Sequence, residues 1–121
     1  MVDFKDMLNR KLASVVLDAS RDVITFAFQD GLTRAFSVEG DCCSHSWIEH
    51  LEMPGDIVGA TLLSVDDSAP VTQDHNEHDE ARGGEFIEVY NTSFKTDRGE
   101  IVLEYRNSSN GYYGGYLTDV L

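Results

Sequence analysis

Two thiols and two imidazoles fall within nine residues of this chain: Cys42, Cys43, His45 and His50. Thiolate and imidazole are good zinc ligands, and a structural site takes four. His75 and His78 add two further donors downstream. The spacing suits a metal poorly, because adjacent cysteines rarely hold one ion together and no C-x-x-C is present. The same residues suggest thiol chemistry. Cys42 or Cys43 would attack, His45 or His50 would take the proton, and Asp41 or Glu49 would orient the ring. No cysteine-hydrolase signature surrounds them. Free cysteine is most often a small buried side chain. The expectation is therefore structural cysteines, no cofactor and no catalytic residue, with Cys42, Cys43, His45 and His50 the positions at which a metal would be sought.

Carboxylates are the second chemistry. The chain carries 22 acids against 9 bases, a formal charge of −13. Residues 41–80 hold ten of the acids and no Lys or Arg. Nucleic acid and anionic lipid require clustered cations, so direct binding to either is excluded. A basic protein surface is the natural counterpart. The segment Asp74-His75-Asn76-Glu77-His78-Asp79-Glu80 lacks the D-x-D-x-D-G spacing of a calcium loop. It reads as a solvated acidic stretch whose histidines titrate near neutrality. Aromatic residues supply the third feature. Trp47, Tyr112, Tyr113 and Tyr116 could form a contact surface, since tyrosine joins apolar area to a polar tip.

These groups must be positioned by a small core. A chain of 121 residues has room for one. Phe4, Met7, Leu8 and Leu12 recur at helical spacing, which predicts a helix over residues 3–12 capped by Asp3. Ser14–Leu17 is a short apolar run. Asp22–Gln29 and Leu32–Val38 read as a hairpin around Asp30-Gly31. A two-residue turn would pair Phe26 with Ala35 and Thr25 with Phe36, putting large side chains on opposite faces. Either both faces are partly covered or the loop is longer.

Ser46–Leu51 fits a strand or a helical turn. Pro54-Gly55 breaks the chain, Asp56–Ala60 suggests a helical turn, and Thr61–Val65 a strand. Residues 66–84 have no apolar pattern and read as a mobile acidic loop. Glu85–Phe94 and Glu100–Arg106 form a second hairpin across Thr96–Gly99, with Ile101, Leu103 and Tyr105 alternating on one side. No apolar run is long enough to span a bilayer, and the start lacks a signal-peptide pattern.

Two motifs carry a resemblance. Asp41-Cys42-Cys43-Ser44-His45-Ser46-Trp47-Ile48-Glu49 follows the first hairpin, and Ser108-Ser109-Asn110-Gly111-Tyr112-Tyr113 follows the last strand. Together, over roughly residues 11–117, they resemble a family of small phage and prophage domains of unknown function. The resemblance implies a compact mixed α/β fold and a viral origin, and it brings no activity.

The sequence thus predicts one α+β domain over residues 1–121. It would be a mostly antiparallel sheet of two hairpins plus one or two strands, with an N-terminal helix and short helical turns. The expected role is a non-catalytic, phage-derived module in the bacterial cytoplasm. It would bind a protein through Asp66, Asp67, Asp74, Glu77, Asp79, Glu80, Trp47, Tyr112 and Tyr113. Two alternatives accompany it: an acidic mimic of nucleic-acid phosphates that blocks a DNA-binding defence enzyme, and a small metal- or thiol-dependent enzyme.

Overall fold

The computed structural model describes residues 2–18, 20–40, 45–67, 72–79, 85–109 and 115–120. Nine strands make up the described fold: β1 (Leu12–Asp18), β2 (Val23–Phe28), β3 (Thr33–Gly40), β4 (His45–Glu52), β5 (Leu62–Asp67), β6 (Thr72–Asp79), β7 (Glu85–Thr96), β8 (Gly99–Ser109) and β9 (Gly115–Asp119). They form two antiparallel sheets, ordered β1-β2-β3-β9 and β4-β8-β7-β5, with β6 pairing the first half of β7.

The expected α+β class is therefore corrected to a two-sheet β fold. Among the described residues the only helical piece is a single 3-10 turn, Lys5–Met7. Its cap position is Phe4 and not the expected Asp3, with no side-chain cap bond, although Asp3 Oδ1 accepts from the Lys5 N–H at 2.9 Å. Asn9 then takes a left-handed φ of 64° and ends it. Beyond Asn9 the chain turns to sheet pairing: its N–H donates to the Leu62 carbonyl at 2.7 Å, and the Leu12 N–H to that of Ala60 at 2.8 Å. The helical spacing of Phe4, Met7, Leu8 and Leu12 marked burial, not helix. Met7 and Leu12 are fully buried, and Phe4 and Leu8 pack on the core. A short apolar segment carries too little information to separate the two periods. Asp56–Ala60, expected to be helical, is a turn closed by Ala60 N–H to the Ile57 carbonyl.

The first hairpin takes the longer of the two loops. Phe28 pairs with Leu32 across Gln29-Asp30-Gly31, and Gly31 adopts a φ of 100° that other residues resist. Asp30 Oδ1 accepts from the Leu32 N–H at 3.1 Å and its carboxylate meets Arg10. The Leu32 N–H holds the Asp30 carboxyl below its usual pKa, with desolvation opposing it and Arg10 assisting. This register sets Ile24 opposite Phe36 and Phe26 opposite Arg34. Cross-strand partners share a face, so Ile24, Phe26, Phe28, Phe36 and Val38 all point one way.

That face meets the inner side of the second sheet: Leu62, Tyr90, Phe94, Ile101, Leu103 and Tyr105. Phe26 and Phe94 touch across the gap, their ring centres 4.6 Å apart, with Phe36 at 6.1 Å from Phe26. Phe4 closes this group, 5.3 Å from Phe36 and 5.8 Å from Phe94. Arg34 ends the row, over the Phe36 ring and bridged to Asp6 and to Asp119, the latter at 2.6 Å. Burial opposes its charge, but the two carboxylates prevail and hold the guanidinium above its usual pKa.

The segment 66–84, expected to be a loop, contains the last two residues of β5 and all of β6. Thr72, Gln73 and Asp74 align with Val89, Glu88 and Ile87 of β7. Polar composition does not prevent a strand when a long neighbour offers free backbone groups.

Phe94→Ala is expected to cost about 3–5 kcal/mol, because a ring buried on all sides leaves a cavity between the sheets. Denaturant unfolding monitored by circular dichroism measures it. A loss below about 1 kcal/mol would show that Phe94 does not join the sheets.

Candidate functional site

Two groups of side chains carry the polar chemistry of the domain. The first lies on the outer face of the second sheet. In β4, Ser46, Ile48 and Leu51 face inward opposite Asn107, Tyr105 and Leu103. A bulge at Glu49, between Ile48 and His50, changes the alternation. His45, Trp47, His50 and Glu52 are left on the outer side, opposite Ser108, Arg106, Glu104 and Val102. Trp47 is half-buried and stacks on exposed His45 with ring centres 5.5 Å apart. Its Nε1–H donates to Glu49 Oε2 at 2.8 Å. His50 Nε2 lies 3.1 Å from Glu52 Oε1, and Arg106 is 3.4 Å from Glu104. The result is an indole set among carboxylates, with one guanidinium next to it.

The second group is polar and lies between the sheets. Tyr90 and Tyr105, opposite one another in β7 and β8, stack almost parallel with centres 5.0 Å apart. The Tyr90 hydroxyl donates to Glu88 at 2.5 Å and accepts the Gly115 N–H of β9 at 3.0 Å. Thr92 donates to Asp67 at 2.7 Å. Nearby, Asn107 Nδ2 donates to Ser46 Oγ at 2.8 Å, and Ser46 donates to the Glu39 carbonyl at 2.9 Å. These bonds tie β3 and β9 of one sheet to β4, β7 and β8 of the other. Gly115 is required there, since a Cβ would lie 2.8 Å from Ser46 Oγ. Burial first, then the Asp67 charge and Tyr90, push the Tyr105 phenol above its ordinary range, with Thr92 acting the other way.

The residues expected from sequence are dispersed. His45, His50 and Trp47 share a face, but Cys42 and Cys43 lie outside the described residues, as do Glu80, Tyr112 and Tyr113. Asp74, Glu77 and Asp79 lie on β6. Asp66 and Asp67, both exposed, are successive residues of β5 opposite Ser93 and Thr92. They therefore point to opposite sides of the sheet. Among the described residues, no three His, Cys, Asp or Glu side chains converge so as to hold a metal ion. No helix there is long and apolar enough to cross a membrane.

Sequence reasoning passed over Thr92, Asn107, Tyr90 and Glu88. A signal was present: in the strand Glu85–Thr96, Glu88, Tyr90, Thr92 and Phe94 alternate on the side that the Ile101–Leu103–Tyr105 pattern buries.

The architecture and these sites define a small two-sheet antiparallel β domain with a Trp-centred polar face. The chain belongs to the family described as Domain of unknown function (DUF7448), whose model matches residues 5–118. It is similar to "Uncharacterized protein L278" of Acanthamoeba polyphaga mimivirus, 27% identical over 110 residues that span 88% of this chain and 84% of that protein. No solved structure matches the chain. The expected membership in a small domain family of unknown function is met at that level, and the relative is viral.

Tyr105 gives a pH test. Its phenol is harder to ionise folded than unfolded, where the pKa is about 10. The stability it contributes is therefore complete below that pH and is lost as pH rises beyond it. Tyrosinate absorbance followed through alkaline titration should show Tyr105 ionising only together with unfolding. Tyr105→Phe should remove one phenol from that late step. An unchanged late step would place Tyr105 in contact with solvent.

Proposed function

We infer that this domain is a non-catalytic binding module that engages a protein partner through the outer face of β4 and β8. The observation that carries this reading is Trp47, held half-buried on a largely polar face by His45 and Glu49. A tryptophan kept at the surface in a fixed orientation loses little entropy when a partner covers it, which is why such residues anchor interfaces. Glu49, His50, Glu52, Glu104 and Arg106 around it supply a polar rim. With a net charge of −13 on the chain, a partner with a basic surface is favoured.

Mimicry of nucleic-acid phosphates draws on the same acidity but demands that the acids share one surface. Asp66 and Asp67 divide between the two sides of β5, and Glu49 and Glu52 lie on the opposite edge strand, β4. This spread favours the Trp-centred reading. A viral origin is consistent with the mimivirus relative.

The test uses the one tryptophan of the chain as its own probe. The domain is immobilised, exposed to lysate of the host cell at low salt, and eluted with a salt gradient. A captured protein should blue-shift Trp47 emission when added back in solution. Trp47→Ala should weaken its binding by at least about 30-fold, the size of a hot-spot loss of 2 kcal/mol. Capture that survives Trp47→Ala unchanged would reject this face. Capture displaced by duplex DNA and indifferent to Trp47→Ala would favour phosphate mimicry instead.

A further inference from the structure

Every open sheet has edges, and their backbone groups template further pairing unless they are covered or charged. In the first sheet, β1 pairs with β2 on one side. On its other side, among the described residues, the chain is covered only at its start, where Asn9–Leu12 is tied to Gly59–Leu62 through the Leu12 N–H to Ala60, the Gly59 N–H to Leu12 and the Leu62 N–H to Arg10. That cover stops at Leu12. Along Ala13–Asp18 no strand among the described residues lies beside this edge. The run Ala13-Ser14-Val15-Val16-Leu17 contains no charge and no proline, and Val16 is 55% exposed.

The register shows which backbone groups face outward. The Phe28 N–H donates to the Leu32 carbonyl at 2.8 Å and the Val38 N–H to that of Asp22 at 3.2 Å, so these alternate β2 positions direct their backbone towards β3. Antiparallel ladders alternate, so Val23, Thr25 and Ala27 direct theirs towards β1, to Asp18, Val16 and Ser14. Val15 and Leu17 therefore turn their N–H and C=O away from β2, into the open edge.

We propose that the Ala13–Asp18 edge is a self-association seam, on which β1 of a second copy of this chain pairs antiparallel about Val16. With Val16 opposite Val16 of the second copy, Val15 meets Leu17 of the second copy and Leu17 meets Val15 of the second copy. Those are the residues whose backbone groups are on offer, and each pair exchanges two hydrogen bonds. The two Val16 side chains, on the outer face, cover one another. Two sheets of four strands become one of eight, through an isologous contact.

Charge selects the occupant. Two chains of −13 repel over most of their surfaces, and a copy can approach only where acids do not meet. Antiparallel pairing about Val16 sets Asp18 against Ser14 of the second copy, so the single acid of each strand faces a neutral residue. The edges of the second sheet offer no such match: β4 carries Glu49 and Glu52, β5 ends in Asp66-Asp67, and the sequence of β6 contains Asp74, Glu77 and Asp79. The seam is independent of the Trp47 face, which belongs to the other sheet.

Sedimentation equilibrium of the full chain tests the proposal. The apparent mass should rise from 13.5 kDa towards twice that value with concentration. Added salt should strengthen the dimer, because screening relieves repulsion between like-charged chains. This is opposite in sign to the salt response of an acidic face on a basic partner, so the two readings fail separately. Val16→Lys places like charges against each other at the centre of the seam and should weaken the dimer at least about tenfold, whereas Val16→Thr should keep it within about threefold. Amide exchange on the unaltered chain gives a readout that needs no variant. Protection of Val15 and Leu17 should grow with concentration, while Ser14 and Val16, already bonded to β2, should not change. A monomer at all concentrations, a dimer that weakens with salt, a dimer indifferent to Val16→Lys, or Val15 and Leu17 amides already protected at high dilution would each overturn the proposal.

Discussion

The contact between Phe26 and Phe94 is the point on which this fold depends. One ring comes from β2, an inner strand of the first sheet, and the other from β7, the longest strand of the second, and their centres lie 4.6 Å apart. For Phe26 to reach that position, the first hairpin must be in the right register. A shift of one residue would turn Phe36 to the solvent side. Gly31 sets the register, because its positive φ permits the three-residue loop that brings Phe28 opposite Leu32. A conformational property of one glycine is thus transmitted along two strands to the junction of the sheets. Phe4 and Met7 then seal the junction from the N-terminal segment.

Strands were legible where alternation and turn chemistry agreed. Asp30-Gly31 and Asp97-Arg98-Gly99 marked both hairpins, and Ile101, Leu103 and Tyr105 marked the buried side of β8. The failures have a common physical cause. Over residues 3–12 side-chain spacing and a capping aspartate suggest a helix, while the conformation is decided by backbone partners far away in sequence, Ala60 and Leu62. β6 was hidden for the same reason: its pairing is supplied by β7, which extends well beyond β5. Local composition reports what a segment prefers. It does not report whether a neighbouring strand has backbone groups to offer.

The candidate face was half legible. Trp47 and His45 were visible as residue types, but the bulge at Glu49 that returns His50 and Glu52 to the outer side has no marker in sequence. Net charge was legible and its layout was not. Ten acids over forty residues leave open whether they share one surface, and strand alternation sends neighbours such as Asp66 and Asp67 to opposite sides. A linear cluster becomes a spatial cluster only when its period matches that of the element carrying it.

The polar group around Tyr90 explains how a half-buried tryptophan can be held still. β4 is an edge strand, bonded to β8 on one side, and such strands fray. Its start is secured from within by Ser46, which accepts from Asn107 and donates to the Glu39 carbonyl of the other sheet. Its middle is secured by the Ile48 N–H, which donates to Asp22 Oδ1 at 3.0 Å. Asp22 sits at a φ of 51°, a conformation that an acidic side chain tolerates when it bonds locally, and here it bonds across to β4 instead. Trp47 lies between these two anchors. One reaches across from β3 and the other from the turn that leads into β2, so the orientation of the outer face of the second sheet is set by contacts with the first sheet and its β1–β2 turn. Gly115 lets β9 approach close enough for Tyr90 to accept its N–H, and that bond draws the same corner together. The polar residues between the sheets therefore contribute less as chemistry than as geometry. They give up the apolar packing that Val or Leu would provide at those positions, and in return fix how the two sheets meet beneath Trp47.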